Sequence, residues 1–369
     1  MLSPTEYLES LSPWPKDGFG LGRIKALLED LGEPQLRYPS IHVVGTNGKS
    51  TVTRTIEELL AQAGLALGAY LSPHVRGWSE RIRVRGEEAP FEPAIERVRS
   101  AAERVGATQF ELLTAAALAE FAAAEVDVAV VEAGLGGRYD ATNVLRSPVQ
   151  VLTNVALEHT EVLGTTREAI AVEKLAVVQP GATVILGEPE WEALARENGA
   201  GAVVVTGRSN LAVAIAAAEA FLARPVDGHV DVRLPGRLER ISDDPLEIWD
   251  GAHNLAGVGY VLARLPSARY VLVASILADK EVEGMLAGLS ALGTHFVSTG
   301  SSSARSLSAA DLAERAARYF AEVDAVEDPV EALTHARTLG EPILVTGSLY
   351  LLADLAKDES VRWRTLATS

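Results

Sequence analysis

The chain has 369 residues, 48% of them apolar, with 33 Lys and Arg against 50 Asp and Glu, a formal charge of -17, and no cysteine. So acidic a surface repels phosphate backbones and excludes nucleic acid as an expected partner. The lack of cysteine excludes disulfides, thiol nucleophiles and Cys-ligated zinc or iron–sulfur sites. Residues 1–10 show no basic start with a long apolar run, and the Ala-rich stretch 211–222 is too short to span a bilayer, so the expected setting is cytoplasmic, with no membrane partner.

In chain order, 41–44 reads as a short buried strand and 51–63 as a helix, with Val52, Ile56, Leu59 and Leu60 at helical spacing. A strand at 65–71, a helix at 108–124 and strands at 126–131 and 149–153 follow. Then come a helix at 166–178, closed by Pro180-Gly181, and strands at 183–186 and 202–205. After a helix at 211–222 and an extended stretch at 230–234, Leu234-Pro235-Gly236-Arg237 reads as a linker. Beyond it the pattern restarts, with strands at 247–249, 270–275, 295–298 and 342–346 and helices from 254 and at 281–289, 308–319, 329–339 and 348–355. Helices alternating with strands predict mostly parallel sheets in two α/β domains.

The strongest local signal is Gly45-Thr46-Asn47-Gly48-Lys49-Ser50-Thr51, a strand entering a Gly-containing turn and leaving as a helix. Backbone amides in such a turn cradle phosphate oxygens, a lysine reaches the β- and γ-phosphates, and a following hydroxyl serves phosphate or magnesium. Only Thr46 and Asn47 separate Gly45 from Gly48, where the standard phosphate loop has four residues, so a glycine turn with a surface lysine is the competing reading. A dinucleotide fingerprint fits poorly, because Lys49 would have no role.

Later segments join this loop in a wider pattern: Ser72-Pro73-His74 followed by Glu80-Arg81-Ile82, the stretch Glu132 to Asn143, Leu157-Glu158-His159, Glu173-Lys174, Leu234 to Glu239, Asp250-Gly251-Ala252-His253-Asn254, and Gly347-Ser348-Leu349-Tyr350. Together they resemble the folylpolyglutamate synthase and dihydrofolate synthase family, a branch of the Mur-ligase-like ATP-dependent amide ligases. The resemblance runs from about Gly45 to Tyr350. Ser50 stands where that family usually has glycine, Leu175-Ala176 where it has Ala-Gly, and Gln109 where it has phenylalanine in Thr-Phe-Phe-Glu.

The resemblance implies an α/β fold with a P-loop-containing Mur-ligase-like central domain (1–234, with the folate site) and a smaller Rossmann-like C-terminal domain (235–369, completing the ATP and glutamate site). It implies ATP on Gly45, Thr46, Asn47, Gly48, Lys49, Ser50 and Thr51, with further contacts from Arg237, Asp250 and His253. Magnesium would sit on Ser72, Glu132 and His159, with a second ion on a carbamylated Lys174. Lys49, His159 and Lys174 are the expected catalytic residues, and the expected substrates of a monomeric enzyme are dihydropteroate or a reduced folate, L-glutamate and ATP. Plainer readings stand beside these: a turn at Ser72, a helix cap at Glu132, a loop polar group at His159, and an exposed salt-bridging lysine at 174. A Mur-type ligase of a cell-wall precursor and a non-catalytic nucleotide-binding protein are the competing functions.

Overall fold

The computed structural model describes residues 2–16, 18–358 and 361. It divides into two compact units: residues 1–73 with 78–232, and residues 74–77 with 233–369.

The first unit is built on eight strands: β1 (Ser40–Val44), β2 (Leu67–Tyr70), β3 (Ile82–Val84), β4 (Glu87–Glu88), β5 (Val128–Glu132), β6 (Val149–Leu152), β7 (Thr183–Leu186) and β8 (Ala202–Val205). Their order is β4-β3-β2-β5-β1-β6-β7-β8. The run from β2 to β8 is parallel, and β3 and β4 close one edge as antiparallel strands. Parallel strands are covered on both faces, which is why the central ones are continuous Val/Ile runs rather than polar–apolar alternations. In β5, Val128 and Val130 pack with the helices Lys49–Gln62 and Asn210–Leu222, whereas Ala129 and Val131 turn to the opposite layer.

That opposite layer centres on the helix Gln109–Ala123, whose Leu112, Leu113, Ala115, Ala116, Leu118 and Phe121 are all fully buried. Thr108 and Glu111 close its start as a capping box, each side chain taking the other residue's backbone amide. Phe121 lies flat against Gly68 of β2, where a Cβ would come within 2.5 Å of the ring, so the aromatic contact requires glycine there.

The second unit carries β9 (Glu239–Asp243), β10 (Leu246–Trp249), β11 (Val271–Ala274), β12 (His295–Ser298), β13 (Glu322–Ala325) and β14 (Ile343–Thr346) in the order β13-β12-β11-β14-β10-β9. All neighbours are parallel except the β9–β10 hairpin. Two buried layers cover the sheet, one around Tyr270, Leu272, Met285 and Phe296, the other around Trp249, Val273, Leu333 and Leu352.

Element types follow the predicted order, with ends moving by at most three residues. The extended stretch at 230–234 forms no strand, and the helices Pro4–Ser10, Gly22–Asp30, Phe91–Val105, Thr160–Leu163 and Glu192–Glu197 and the strands β3, β4, β9 and β13 add to the pattern read from sequence. Among the described residues no helix is long and apolar enough to cross a membrane.

Candidate active site

The carboxyl ends of three adjacent strands, β5, β1 and β6, meet at one edge of the first sheet, the edge where open α/β sheets bind ligands. β1 ends at Val44, residues 45–48 turn, and the helix begins at Lys49. Gly45 (φ +146°) and Gly48 (φ +82°) hold backbone conformations that a side chain resists, and a Cβ on Gly45 would collide with Thr153. The loop is fastened from below. The Asn154 side chain accepts from the Asn47 amide at 3.1 Å and donates to the Asn47 carbonyl at 2.9 Å, and Thr153 Oγ1 donates to that same carbonyl at 2.7 Å. Lys49 Nζ folds back to the Thr46 carbonyl at 3.2 Å.

Glu132 closes β5 and is 1% exposed. Its Oε1 accepts from Ser50 Oγ at 3.1 Å and its Oε2 from the Ser72 amide at 3.0 Å. A carboxylate is thus held between the phosphate loop and the segment that follows β2. The arrangement sets hard oxygen donors from Glu132 and Ser50 side by side, the donor type that magnesium prefers, with the Ser72 amide fixing the carboxylate from the other side.

The glycine-rich segment after Glu132 is organised from inside by Asp140. Its Oδ2 accepts the Leu135 amide at 2.7 Å and its Oδ1 the Thr142 amide at 3.0 Å. Burial raises the Asp140 pKa, and these donors oppose the rise. Thr142 Oγ1 also bonds Asp140 and, at 2.8 Å, faces Nε2 of the buried His42. Since the hydroxyl proton goes to the carboxylate, His42 supplies the N–H. At the other end of the segment, the Arg138 amide donates to the Glu173 carbonyl at 2.9 Å, and the Arg138 side chain pairs with the Glu173 carboxylate at 2.9 Å. Gly137 lies against the helix Arg167–Leu175 so closely that a Cβ would meet the carbonyls of Lys174 and Glu173 at 2.6 and 2.7 Å.

Lys174, on the last turn of that helix, is 1% exposed, not the surface lysine of the plain reading. Its Nζ donates to the Gly45 carbonyl at 2.9 Å and to Glu158 Oε1 at 2.6 Å. Burial lowers the Lys174 pKa; Glu158 opposes the shift and Lys49 adds to it. Burial works against Glu158 as a carboxylate, but the charges of Lys174, Lys49 and His159 prevail and hold it well below the usual range. His159 itself sits in the left-handed region (φ +46°) and begins the short helix Thr160–Leu163.

Gln109 does not project a ring. Its Nε2 donates to the Leu8 carbonyl at 3.3 Å and its amide to the Ser12 carbonyl at 2.9 Å, fastening the N-terminal segment. The ring of its neighbour Phe110 packs, tilted by 38°, at 6.1 Å from that of Tyr70 and lies against Gly134.

The second unit gathers Arg237, Asp250 and His253 on its own. Asp250 accepts the Leu238 and Ala252 amides at 2.8 Å each, Gly251 donates to the Gly236 carbonyl at 2.9 Å, and His253 Nδ1 meets the Gly251 carbonyl at 2.8 Å. Burial raises the Asp250 pKa, against Arg237 and the two amides.

Thr153, Asn154 and His42 lay outside the sequence-derived site, and Asp140 lay within the Glu132 to Asn143 stretch without an assigned role. A polar Thr-Asn pair directly after the apolar strand β6 was the available signal for the first two. A shallow cleft of about 530 Å³ lined by Tyr38, Arg146, Ser147 and Gln179 lies at the opposite, amino ends of β1, β6 and β7, away from the phosphate loop.

Comparison with known proteins places this geometry. The family model described as the Mur ligase middle domain matches residues 43–233, and that of the Mur ligase glutamate ligase domain matches residues 236–349. A dihydrofolate synthase/folylpolyglutamate synthase of Mycobacterium tuberculosis is 33% identical over 83% of this chain and 80% of its own. A structure of the Mycobacterium tuberculosis folylpolyglutamate synthase complexed with ADP superposes with a TM-score of 0.87 at 30% identity, over 97% of both chains. A bifunctional folylpolyglutamate synthase/dihydrofolate synthase from Yersinia pestis, complexed with AMPPNP and manganese, does so at 0.83 and 30% identity, over 94% of this chain and 95% of its own. The phosphate loop, the buried carboxylate beside it and both halves of the chain therefore lead to one conclusion: the protein belongs to the folylpolyglutamate synthase/dihydrofolate synthase family of Mur-type ligases.

Proposed function

We propose that the protein is an ATP-dependent ligase that joins L-glutamate first to dihydropteroate and then to reduced folates. The observation that carries this reading is the Ser50–Glu132–Ser72 arrangement beside Lys49, a site suited to a nucleotide and a divalent cation. The Yersinia pestis relative, with its ATP analogue and manganese, supports the same assignment.

In this reading Gly45 to Thr51 bind the ATP phosphates, and Arg237, Asp250 and His253 are nucleotide contacts contributed by the second unit. We assign residues 1–234 to the nucleotide and folate and residues 235–369 to completing the ATP and glutamate contacts. Ser72, Glu132 and His159 would hold magnesium, which offsets the charge of the transferred phosphoryl group. Lys49 stabilises the same charge directly. The substrate carboxylate attacks the γ-phosphorus of ATP and ADP leaves. The glutamate amine then attacks the resulting acyl phosphate, and phosphate departs. No side chain has to become a covalent nucleophile, and positioning and electrostatics carry the rate.

We also assign carbamylation to Lys174. A buried amine with a lowered pKa has more of the neutral form that can bond to the carbon of CO₂, releasing one proton. The product would set a second anion beside Glu158, so the modification calls for a further cation at the same place.

The test is ADP release with glutamate and magnesium, comparing dihydropteroate with a tetrahydrofolate monoglutamate. Turnover with both is expected, since one ATP site and one incoming amine serve both. Turnover with only one would reject the double activity, and release independent of either folate would reject the ligase assignment.

A further inference from the structure

We propose that His295, Asp324 and His335 form a binding site for a divalent transition metal of the zinc class, at the β13 edge of the second unit's sheet. Nothing in the ligase chemistry above uses these residues. His295 opens β12, Asp324 lies in the edge strand β13, and His335 sits on the last turn of the helix Pro329–Thr338. One donor atom from each lies within 4.8 Å of the other two. Asp324 Oδ2 stands 2.7 Å from His295 Nε2 and 2.8 Å from His335 Nε2. Zinc bonds of about 2.0–2.1 Å in tetrahedral geometry separate ligand atoms by roughly 3.3 Å, so a small outward shift of each donor admits the ion. Asp324 and His335 have side chains about two-fifths exposed and can make that shift.

A second carboxylate strengthens the assignment. His295 Nδ1 lies 3.2 Å from Glu322 Oε2, the residue paired with it across β12 and β13. Histidines that bind metals commonly give their other ring N–H to a carboxylate, which fixes the tautomer and raises ligand basicity. With its proton directed at Glu322, the ring of His295 turns a lone pair toward Asp324, and two lone pairs then oppose each other. A cation between them resolves the conflict, and a dipositive ion also balances the two carboxylates. Three protein ligands leave a fourth position for water. The role is structural: the ion would tie the edge strand β13 to β12 and to the helix behind them.

The rival arrangement holds no ion, each Nε2–H donating to Asp324. Titration of the chelator-treated full chain with zinc, and with cobalt followed by its visible absorption, separates the two above the ordinary imidazole range. One site is expected to disappear in His335→Ala and in the near-isosteric Asp324→Asn. Glu322→Gln should retain the site with affinity about tenfold weaker. Zinc should raise the unfolding temperature of the wild type and of Glu322→Gln, but not of the other two variants, and magnesium-supported turnover of His335→Ala should be unchanged. Identical metal isotherms and unchanged thermal response in the wild type, His335→Ala and Asp324→Asn would overturn the proposal.

Discussion

Lys174 donates a 2.9 Å hydrogen bond to the carbonyl of Gly45, a residue 129 positions earlier that begins the phosphate loop. The same amine holds Glu158 at 2.6 Å, so one buried nitrogen connects the loop after β1, the segment after β6 and the helix Arg167–Leu175.

Removing one member of a buried ion pair leaves the other charge without its partner. In CO₂-depleted buffer, where Lys174 keeps its unmodified amine, Lys174→Ala should therefore lose about 3–5 kcal/mol of stability by denaturant titration, and in ordinary buffer it should lose turnover. Adding Glu158→Gln should restore much of the stability and none of the turnover. Equal losses in the single and double variants would show that the pair is not coupled.

The Lys49 amine hydrogen-bonds the Thr46 carbonyl three residues earlier, within its own loop, so its loss should leave the fold intact. Lys49→Ala should lower kcat by about 10²–10³-fold, the scale for removing a preorganised positive donor from a developing charge. Near-normal turnover at saturating ATP would contradict its assignment to the phosphates.

Gly137→Ala would drive a methyl group into the backbone carbonyls of Glu173 and Lys174. Backbone yields less readily than a side chain, so the expected loss is about 1–3 kcal/mol. Gly20, in open space and, like Gly137, outside the positive-φ region, is a control for an added methyl group without the clash. If Gly20→Ala loses as much stability as Gly137→Ala, the close approach is not the cause.

Burial pulls the pKa of His42 from 6.5 to about 4. The unfolded chain thus binds this proton more readily than the folded one. His42 subtracts nothing above pH 6.5, and its destabilising effect grows as pH falls through 6.5 toward 4. At full extent this removes about 3 kcal/mol. A His42→Asn variant should show a shallower loss of stability across that window, measured by urea unfolding. An unchanged slope would place the acid sensitivity elsewhere.

The central strands were readable because burial on both faces forces them into Val/Ile runs, as in Val128–Val131. β13 was not, because its sequence Glu322-Val-Asp-Ala places acids on an edge strand, where only pairing with β12 makes it a strand. The phosphate loop was readable because glycines and a lysine must stand at set positions. The burial of Lys174 was not, since a lysine beside a glutamate on a helix usually lies at the surface. Asp140 was visible as a polar residue, but which amides it would collect depends on how residues 134–142 fold back on themselves. Gln109 read as a lost aromatic surface, and its amide instead secures the N-terminal segment.

The hydrogen bond from Ser50 to Glu132 gives the buried carboxylate a placeholder for positive charge. The hydroxyl proton occupies one oxygen of the carboxylate and the Ser72 amide the other. If magnesium binds here, Glu132 and Ser50 would hold it, the hydroxyl proton rotating aside so that its oxygen could face the ion. The charge is already desolvated when the fold forms, so the ion meets a mould rather than a solvated carboxylate. Ser50→Ala would remove the placeholder and leave that oxygen of the carboxylate without its hydroxyl donor.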